Sequence, residues 1–257
     1  MEHEVVSREV WLQARRELMA KERAYMKQGD QLSAERRALP WVKLEKNYEF
    51  DGAQGKLTLA DLFAGRSQLF VKHYMLGPGQ QHHCVGCALE VDHLQGILVH
   101  LQNHDLSYVA IARAPIEEIE ALRRRMGWQF PFVSSYHSDF NADFNVSFTP
   151  EEIKAKKAFY NFRETDPGVE DLSGDSVFYK DESGQIFHTY SAFGRGCEPF
   201  LGIYAFFDVS PKGRAEHGLH HSLGDWARPH DMYGRGGMVE ASGRYHAQAC
   251  ACSTSES

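Results

Sequence analysis

The sequence predicts an α/β domain with a central mixed sheet flanked by helices, and three observations carry that prediction. Short apolar runs alternate with helical stripes between residues 69 and 134, a hairpin signal follows at residues 176–190, and Cys84 and Cys87 stand where the first buried run gives way to a helix. Strands separated by helices pair in parallel, whereas a tight hairpin forces an antiparallel pair, so the sheet has to be mixed.

The elements follow in chain order. Residues 7–34 predict a charged helical arm, because Trp11, Ala14, Leu18 and Tyr25 mark a thin apolar face among Arg, Lys and Glu. Leu39-Pro40-Trp41 ends it. Tyr48 to Gly55 and then Leu57 to Phe63 predict a small hairpin leading into a short helix, and Gly65-Arg66-Ser67 turns the chain into a strand from Leu69 to Met75. Beyond the break at Gly77-Pro78-Gly79, Cys84, Cys87, Val91, Leu94, Leu98 and Leu101 recur in alternating steps of three and four. That is the stripe of one amphipathic helix buried on one side, with Cys84 at its exposed N-terminus.

Tyr108 to Ala112 predicts a buried strand. The next helix is well punctuated: Pro115 suits its first position, Glu117 and Glu118 its first turn, Arg123 to Arg125 its last turn and Gly127 its stop. Its core face is Ile116, Ile119, Leu122 and Met126. Phe130 to Ser134 is a shorter strand, and residues 138–174 form an insertion with aromatic spacing at Phe140, Phe144 and Phe148. A hairpin turns at Asp181-Glu182-Ser183-Gly184, and Leu201 to Val209 is a last apolar helix or strand. Beyond Pro211 the chain is rich in Gly, His and Arg and poor in aliphatics, which predicts irregular structure and a frayed tail after about Tyr245. The expected organisation is an N-terminal arm over 1–47, a domain over 48–209 and an irregular C-terminal extension over 210–257.

The 257 residues carry 35 acidic and 28 basic side chains, a formal charge of -7 that gives no general attraction to nucleic acid or to an anionic membrane. Arg15-Arg16, Arg36-Arg37 and Arg123-Arg124-Arg125 are read as solvated faces and partners of helix dipoles. The start of the chain lacks the basic, apolar, small-residue order of a secretory signal, and no apolar run is long enough to span a bilayer. Five cysteines are an odd number, which fits reduced or transiently oxidised thiols and a cytoplasmic location.

Strand, loop, dithiol, helix is the order in which thioredoxin-like proteins present a reactive cysteine. A set of ordered blocks extends this: Arg36-Arg37-x-Leu39-Pro40-Trp41, Asp61-Leu62-Phe63-x-Gly65-x-Ser67-Gln68-Leu69, Cys84-x-Gly86-Cys87, Arg113-Ala114-Pro115, Met126-Gly127-Trp128, Ser138-Asp139-Phe140-Asn141-x-Asp143-Phe144, His188-Thr189-Tyr190-Ser191 with Arg195-Gly196, and Arg228-x-His230-Asp231-x-Tyr233. Together they resemble the bacterial thioredoxin-like family catalogued as domain of unknown function 899, over nearly the whole chain. The resemblance implies a thioredoxin-like fold and brings no established reaction. Thioredoxin itself has Trp before its first cysteine, Gly-Pro between the two and a cis-proline before the facing hairpin strand. This chain has His83, Val85-Gly86 and Ser173-Gly174-Asp175-Ser176 at those places.

Three chemistries are open to Cys84 and Cys87. In thiol–disulfide exchange, Cys84 at the helix N-terminus is the nucleophile, since the dipole favours its thiolate, and Cys87 one turn on resolves the mixed disulfide without any cofactor. His82 and His83 add positive potential when protonated. In a binding module without turnover, Cys84 and Cys87 with His83 or His93 hold zinc or copper. In the third case both thiols are inert and partly buried. Cys250 and Cys252 are the only candidate for a second thiol pair, and Cys197 reads as a packed or incidental thiol. His188 and Tyr190 fall on one face of their strand, with Arg195 close behind; facing the dithiol they can hold an anionic substrate or move a proton, and otherwise they are packing residues. His230-Asp231 carries the same two readings. Asp139 to Asp143 superficially looks like a calcium loop, but Phe144 and Pro150 stand where Gly and Glu are required, so calcium is rejected. The expected partner is an unknown thiol or disulfide substrate, with the arm as a route to a homo-oligomer.

Overall fold

The computed structural model describes residues 3–80, 83–217 and 223–247, and the chain divides into two compact units, Met1–Trp41 and Val42–Ser257. The first unit is dominated by α1, Arg8–Arg37, whose N-cap Ser7 hydroxyl accepts the Val10 N–H at 3.4 Å and whose last turn carries Arg36 and Arg37. None of its residues is buried. At 1.5 Å per residue it extends about 45 Å.

The second unit begins with β1, Val42–Lys43, which pairs with Phe187 and His188. Val42 and Lys43 therefore belong to the sheet and not to the arm, so the division falls at Trp41 and not at residue 47. The hairpin of β2, Glu49–Gly52, and β3, Gly55–Thr58, leads into α2, Leu59–Leu62, started by a capping box between Thr58 and Asp61. β4, Gln68–His73, precedes α3, Val85–Asp92, and α4, Leu98–Asn103. One continuous helix was expected from Cys87 to Leu101; a 3-10 turn at Leu94–Gly96 separates two pieces. Gly96 lies at that break, and glycine in a helix interior costs about 1 kcal/mol relative to alanine.

β5, Leu106–Ala112, is followed by α5, Ile116–Met126, which stops at Gly127 with φ 67°. β6, Phe132–Ser134, leads into the insertion: α6, Phe140–Asp143, α7, Pro150–Ala155, and the separate hairpin of β7, Ala158–Tyr160, with β8, Arg163–Thr165. β9, Gly174–Lys180, and β10, Ile186–Phe193, form the long hairpin, and α8, Ile203–Phe207, closes the apolar part of the chain.

The main sheet has the order β1-β10-β9-β4-β5-β6-β2-β3. β4, β5 and β6 are parallel, while β9 runs antiparallel to both β4 and β10. The inner set β5-β4-β9-β10, a parallel pair continued by an antiparallel hairpin, is the thioredoxin-like arrangement. One face of the sheet packs α3 and α5 through Cys87, Ala88, Val91, Ile119, Leu122 and Met126. The other packs α2 and α6 through Leu59, Leu62, Phe63, Phe140 and Phe144.

The C-terminal extension departs from expectation. Residues 223–247 hold two 3-10 turns and the short hairpin of β11, Met238–Val239, with β12, Tyr245–His246. Ala227, Val239 and Tyr245 are buried against Val85 and Leu89 of α3. α3 is consequently covered on two sides, the sheet on one and this segment on the other, where a one-sided stripe was expected. Few aliphatics are needed for this because Val85 and Leu89 supply the other half of the apolar cluster.

Candidate active site

β4 ends and α3 begins beside the C-terminal ends of the parallel strands, where an open α/β sheet leaves a crevice. Cys84 is the N-cap of α3, and its sulfur accepts the Cys87 N–H at 3.3 Å. Cys84, Cys87 and Cys197 are all free thiols. The first two are coupled in opposite directions. The Cys87 thiol donates to the Cys84 sulfur and lowers its pKa; burial opposes this, the Cys87 N–H and the Lys72 charge assist it, and the net value is about 7. Burial, and then the adjoining Cys84 sulfur, push Cys87 well above an ordinary thiol.

Three charged side chains lie beneath the dithiol. Lys72 on β4, Glu90 on α3 and Asp175 on β9 are 1%, 5% and 0% exposed. Lys72 Nζ is 2.5 Å from Glu90 Oε2 and 3.4 Å from Asp175 Oδ1. One ammonium balances one carboxylate, so the buried cluster favours a proton on the other. Burial pushes Glu90 up to about 8, with Lys72 opposing and Asp175 adding to the rise. Burial also works against the Lys72 ammonium, but Asp175 and Glu90 outweigh it and hold its pKa well above the ordinary lysine value.

A cavity of about 490 Å³ opens on this arrangement, lined among others by Cys84, Cys87, Glu90, Tyr160, Arg195 and Cys197. Arg195 and Cys197 come from the 3-10 turn Gly194–Phe200 that follows β10. Arg195 is paired with Glu198 at 2.7 Å and projects into solvent at the rim. The Cys197 thiol donates to Ala192 O at 3.3 Å and is held protonated by burial and by Asp175.

Other residues singled out in the sequence lie elsewhere. Cys84 itself is 7% exposed rather than open to solvent, because residues 240–243 sit above it. His83 turns its Nδ1 to the Tyr74 hydroxyl at 2.7 Å and borders a different recess with Leu76 and Arg125. His93 borders an apolar pocket with Phe70 and Phe200 that neither Cys84 nor Cys87 lines. The ligand set Cys84, Cys87, His83, His93 is therefore not gathered, and no group of three or more potential ligands stands together among the described residues. Asp139 and Asp143 both bind Lys46, at 2.8 and 2.7 Å.

His188 and Tyr190 do not share a face. A bulge at Thr189 puts His188 opposite Phe178 and Tyr190 opposite Val177, adjacent residues that point to opposite sides of β9. His188 packs on Phe144 and Phe178 on the face away from the dithiol, with Nε2 2.8 Å from Ser191 Oγ. Tyr190 does not border the dithiol cavity. His230 bonds Asp92 through Nδ1 at 2.8 Å. His82, Cys250 and Cys252 lie outside the described residues.

Sequence reasoning missed Lys72, Glu90 and Asp175. The signal was present: Lys72 interrupts an apolar strand, and Glu90 falls inside the buried arc between Cys87 and Val91. A charged residue at a core position calls for a buried partner.

The fold and the dithiol at a helix N-terminus define a thioredoxin-like protein. The chain belongs to the family described as bacterial protein of unknown function, DUF899, which matches residues 1–233. No curated protein matches its sequence. Solved structures similar to it include peroxidoxin BcpB from Mycobacterium tuberculosis, 14% identical with a TM-score of 0.41 over 64% of this chain and 93% of that one. Peroxiredoxin Q from Xanthomonas campestris is 13% identical with a TM-score of 0.43, over 66% and 96% of the two chains. The mitochondrial 2-Cys peroxiredoxin from Plasmodium falciparum is 14% identical with a TM-score of 0.40, over 65% and 94%. Similarity at this level says nothing about chemistry. No described helix is long and apolar enough to cross a membrane.

Proposed function

We propose that this chain is a thiol–disulfide oxidoreductase in which Cys84 attacks and Cys87 resolves, acting in a reducing compartment such as the cytosol. The observation that supports it is the polarisation of the pair: the Cys87 thiol and N–H both bond to the Cys84 sulfur, whose pKa is about 7, while Cys87 is held as the thiol. A thiol near ambient pH combines a substantial thiolate fraction with retained nucleophilicity.

The Cys84 thiolate attacks one sulfur of a substrate disulfide and expels the other as thiolate. Cys87 then gives up its proton, attacks Cys84 and releases the second half of the substrate. Lys72 stabilises the thiolate forming at Cys87, and the Cys87 proton is taken up by a departing substrate thiolate. The two protons of the dithiol end on the two product thiols, and Cys84 and Cys87 are left joined. No cofactor enters.

The test is a single turnover of reduced protein with 2-hydroxyethyl disulfide, followed by acid quench and peptide mapping. The expected product is the Cys84–Cys87 disulfide. Cys87→Ser should retain the mixed disulfide on Cys84, and Cys84→Ser should form none. A mixed disulfide trapped on Cys197 instead, or no reaction, overturns the assignment.

A further inference from the structure

A dithiol at a helix N-terminus serves protein and small-molecule substrates alike, and what covers it decides between them. Here residues 223–247 form a strap across α3. The turn between β11 and β12 lies directly on the nucleophile: Gly243 O accepts the Val85 N–H at 2.9 Å, Cys84 and Arg244 form an antiparallel bridge, and a Cβ placed on Gly243 would stand 3.7 Å from Cys84 Sγ. Gly243 has φ +83°, so the turn keeps a residue with no side chain at that point of approach.

Several contacts hold the strap down. Arg125 grips Asp231 with two hydrogen bonds of 2.8 and 2.9 Å. Asp92 receives both the Trp128 indole N–H and His230 Nδ1, each at 2.8 Å. Ala227, Val239 and Tyr245 bury themselves on Val85 and Leu89. At the far side of the dithiol, a Cβ on Gly86 would come within 2.8 Å of a Leu223 methyl, so the strap closes on the helix backbone itself.

Attack on a disulfide is in line with the S–S axis. A disulfide in a folded protein brings its own backbone to within a few ångströms of the attacking sulfur, and that space is filled by residues 240–243. What remains open to Cys84 is the cavity of about 490 Å³. That is within the roughly 300–1,000 Å³ of small-molecule sites.

We propose that the strap, anchored by the Arg125–Asp231 pair, is the specificity determinant that confines Cys84 to low-molecular-weight disulfides and denies it disulfides in folded proteins. The proposal rests on the thiol–disulfide reading given above. In each turnover R–S–S–R takes two electrons and two protons from the dithiol, giving two R–SH and the Cys84–Cys87 disulfide, with no further reductant.

The experiment has two independent readouts on the full reduced chain. The first is single-turnover oxidation by 2-hydroxyethyl disulfide and by native insulin. The second is labelling mapped to Cys84 with iodoacetamide and with a maleimide on a long polyethylene glycol chain, each rate normalised to the denatured protein. Wild type should react with hydroxyethyl disulfide and hardly with insulin, and should exclude the large maleimide far more than iodoacetamide. Asp231→Asn and Arg125→Gln should raise large-reagent labelling roughly threefold to fivefold, the change in open population expected when one bidentate pair at the upper end of the usual range is lost. Iodoacetamide labelling should change less than about twofold in the same variants. Insulin oxidised by wild type as readily as hydroxyethyl disulfide, or equal normalised labelling by both reagents, overturns the proposal on wild type alone. Size-selective labelling with no oxidation by either disulfide overturns the thiol–disulfide reading, and with it the substrate class.

Discussion

Lys72 and Asp175 face each other across β4 and β9, and their 3.4 Å ion pair is sealed from solvent together with Glu90 directly beneath the dithiol. Burying three charges is expensive unless they neutralise one another, and one ammonium against two carboxylates leaves an excess negative charge. A proton on Glu90 removes it. The cluster therefore stores a titratable proton one helical turn from Cys87 and makes the stability of the fold depend on pH.

Glu90→Gln should show this as a change in pH dependence. Burial raises Glu90 from 4.5 to about 8, so between those values the native state holds a proton that the unfolded state gives up. Stability contributed by Glu90 is present at low pH and falls as pH rises towards 8. Glutamine mimics the protonated acid and does not titrate. In urea denaturation, wild type should lose on the order of 3 kcal/mol relative to the variant between about pH 5 and pH 8. A constant difference across that range would show that Glu90 stays ionised beside Lys72.

Tyr108→Phe should leave the fold as stable as wild type or slightly more so. The Tyr108 hydroxyl is buried and makes no hydrogen bond, so its removal relieves a desolvation cost rather than breaking a contact. The ring keeps its stacking on Phe70, with centroids 5.6 Å apart. The expected change is between zero and about 1 kcal/mol of added stability. Thermal and urea melts decide it; a loss above about 1 kcal/mol would show that the hydroxyl holds a bound water.

Local signals made much of the architecture legible. Pro115, the glutamates and Gly127 delimit α5 because capping acts through neighbours in sequence, and the hairpin at residues 181–184 turns on its own side chains. Asp181 carries that turn by accepting from the Ser183 and Gln185 N–H groups, each at 2.9 Å. The features that escaped depend on distant partners or on a shift of one residue. The bulge at Thr189 turns His188 and Tyr190 to opposite faces, which no alternation pattern reports. Cys84 meets Gly243 and Arg244 across nearly the length of the domain, so the strap was invisible in a segment whose composition reads as loose. Lys72, Glu90 and Asp175 were visible singly as charges at core positions, but only the sheet brings them into one cluster.

Removing residues 1–41 should leave the remainder folded. α1 contains no buried residue and the chain divides at Trp41, so the sheet loses no core side chain with it. The truncated chain should melt cooperatively, within about 0.5 kcal/mol of the full protein. Trp11 and Leu18 are 47% and 51% exposed along one stripe of α1, which is why we propose the arm as a contact between copies of the chain. Sedimentation should show a smaller assembly after truncation. Loss of the cooperative transition would place the arm within the folding unit, and an unchanged assembly state would remove it from the contact.

The two thiols should differ sharply in alkylation. With its pKa at about 7, Cys84 should react with iodoacetamide at a rate that is level above pH 8 and falls tenfold per pH unit below pH 6. Cys87 should remain slow throughout, since burial and the adjoining sulfur keep it protonated. Lys72→Met removes a positive charge that favours both thiolates, so the Cys84 midpoint should rise by roughly half a unit to one unit. The same change leaves Glu90 and Asp175 buried without a cation and should cost about 3–5 kcal/mol, so the melt is measured beside the labelling. The measurement is timed labelling at graded pH, quenched and mapped to each cysteine. A midpoint near the ordinary thiol value of about 8.5 in wild type would mean that the Cys87 hydrogen bonds do not polarise Cys84. Equal rates at the two thiols would mean that neither is set apart for attack.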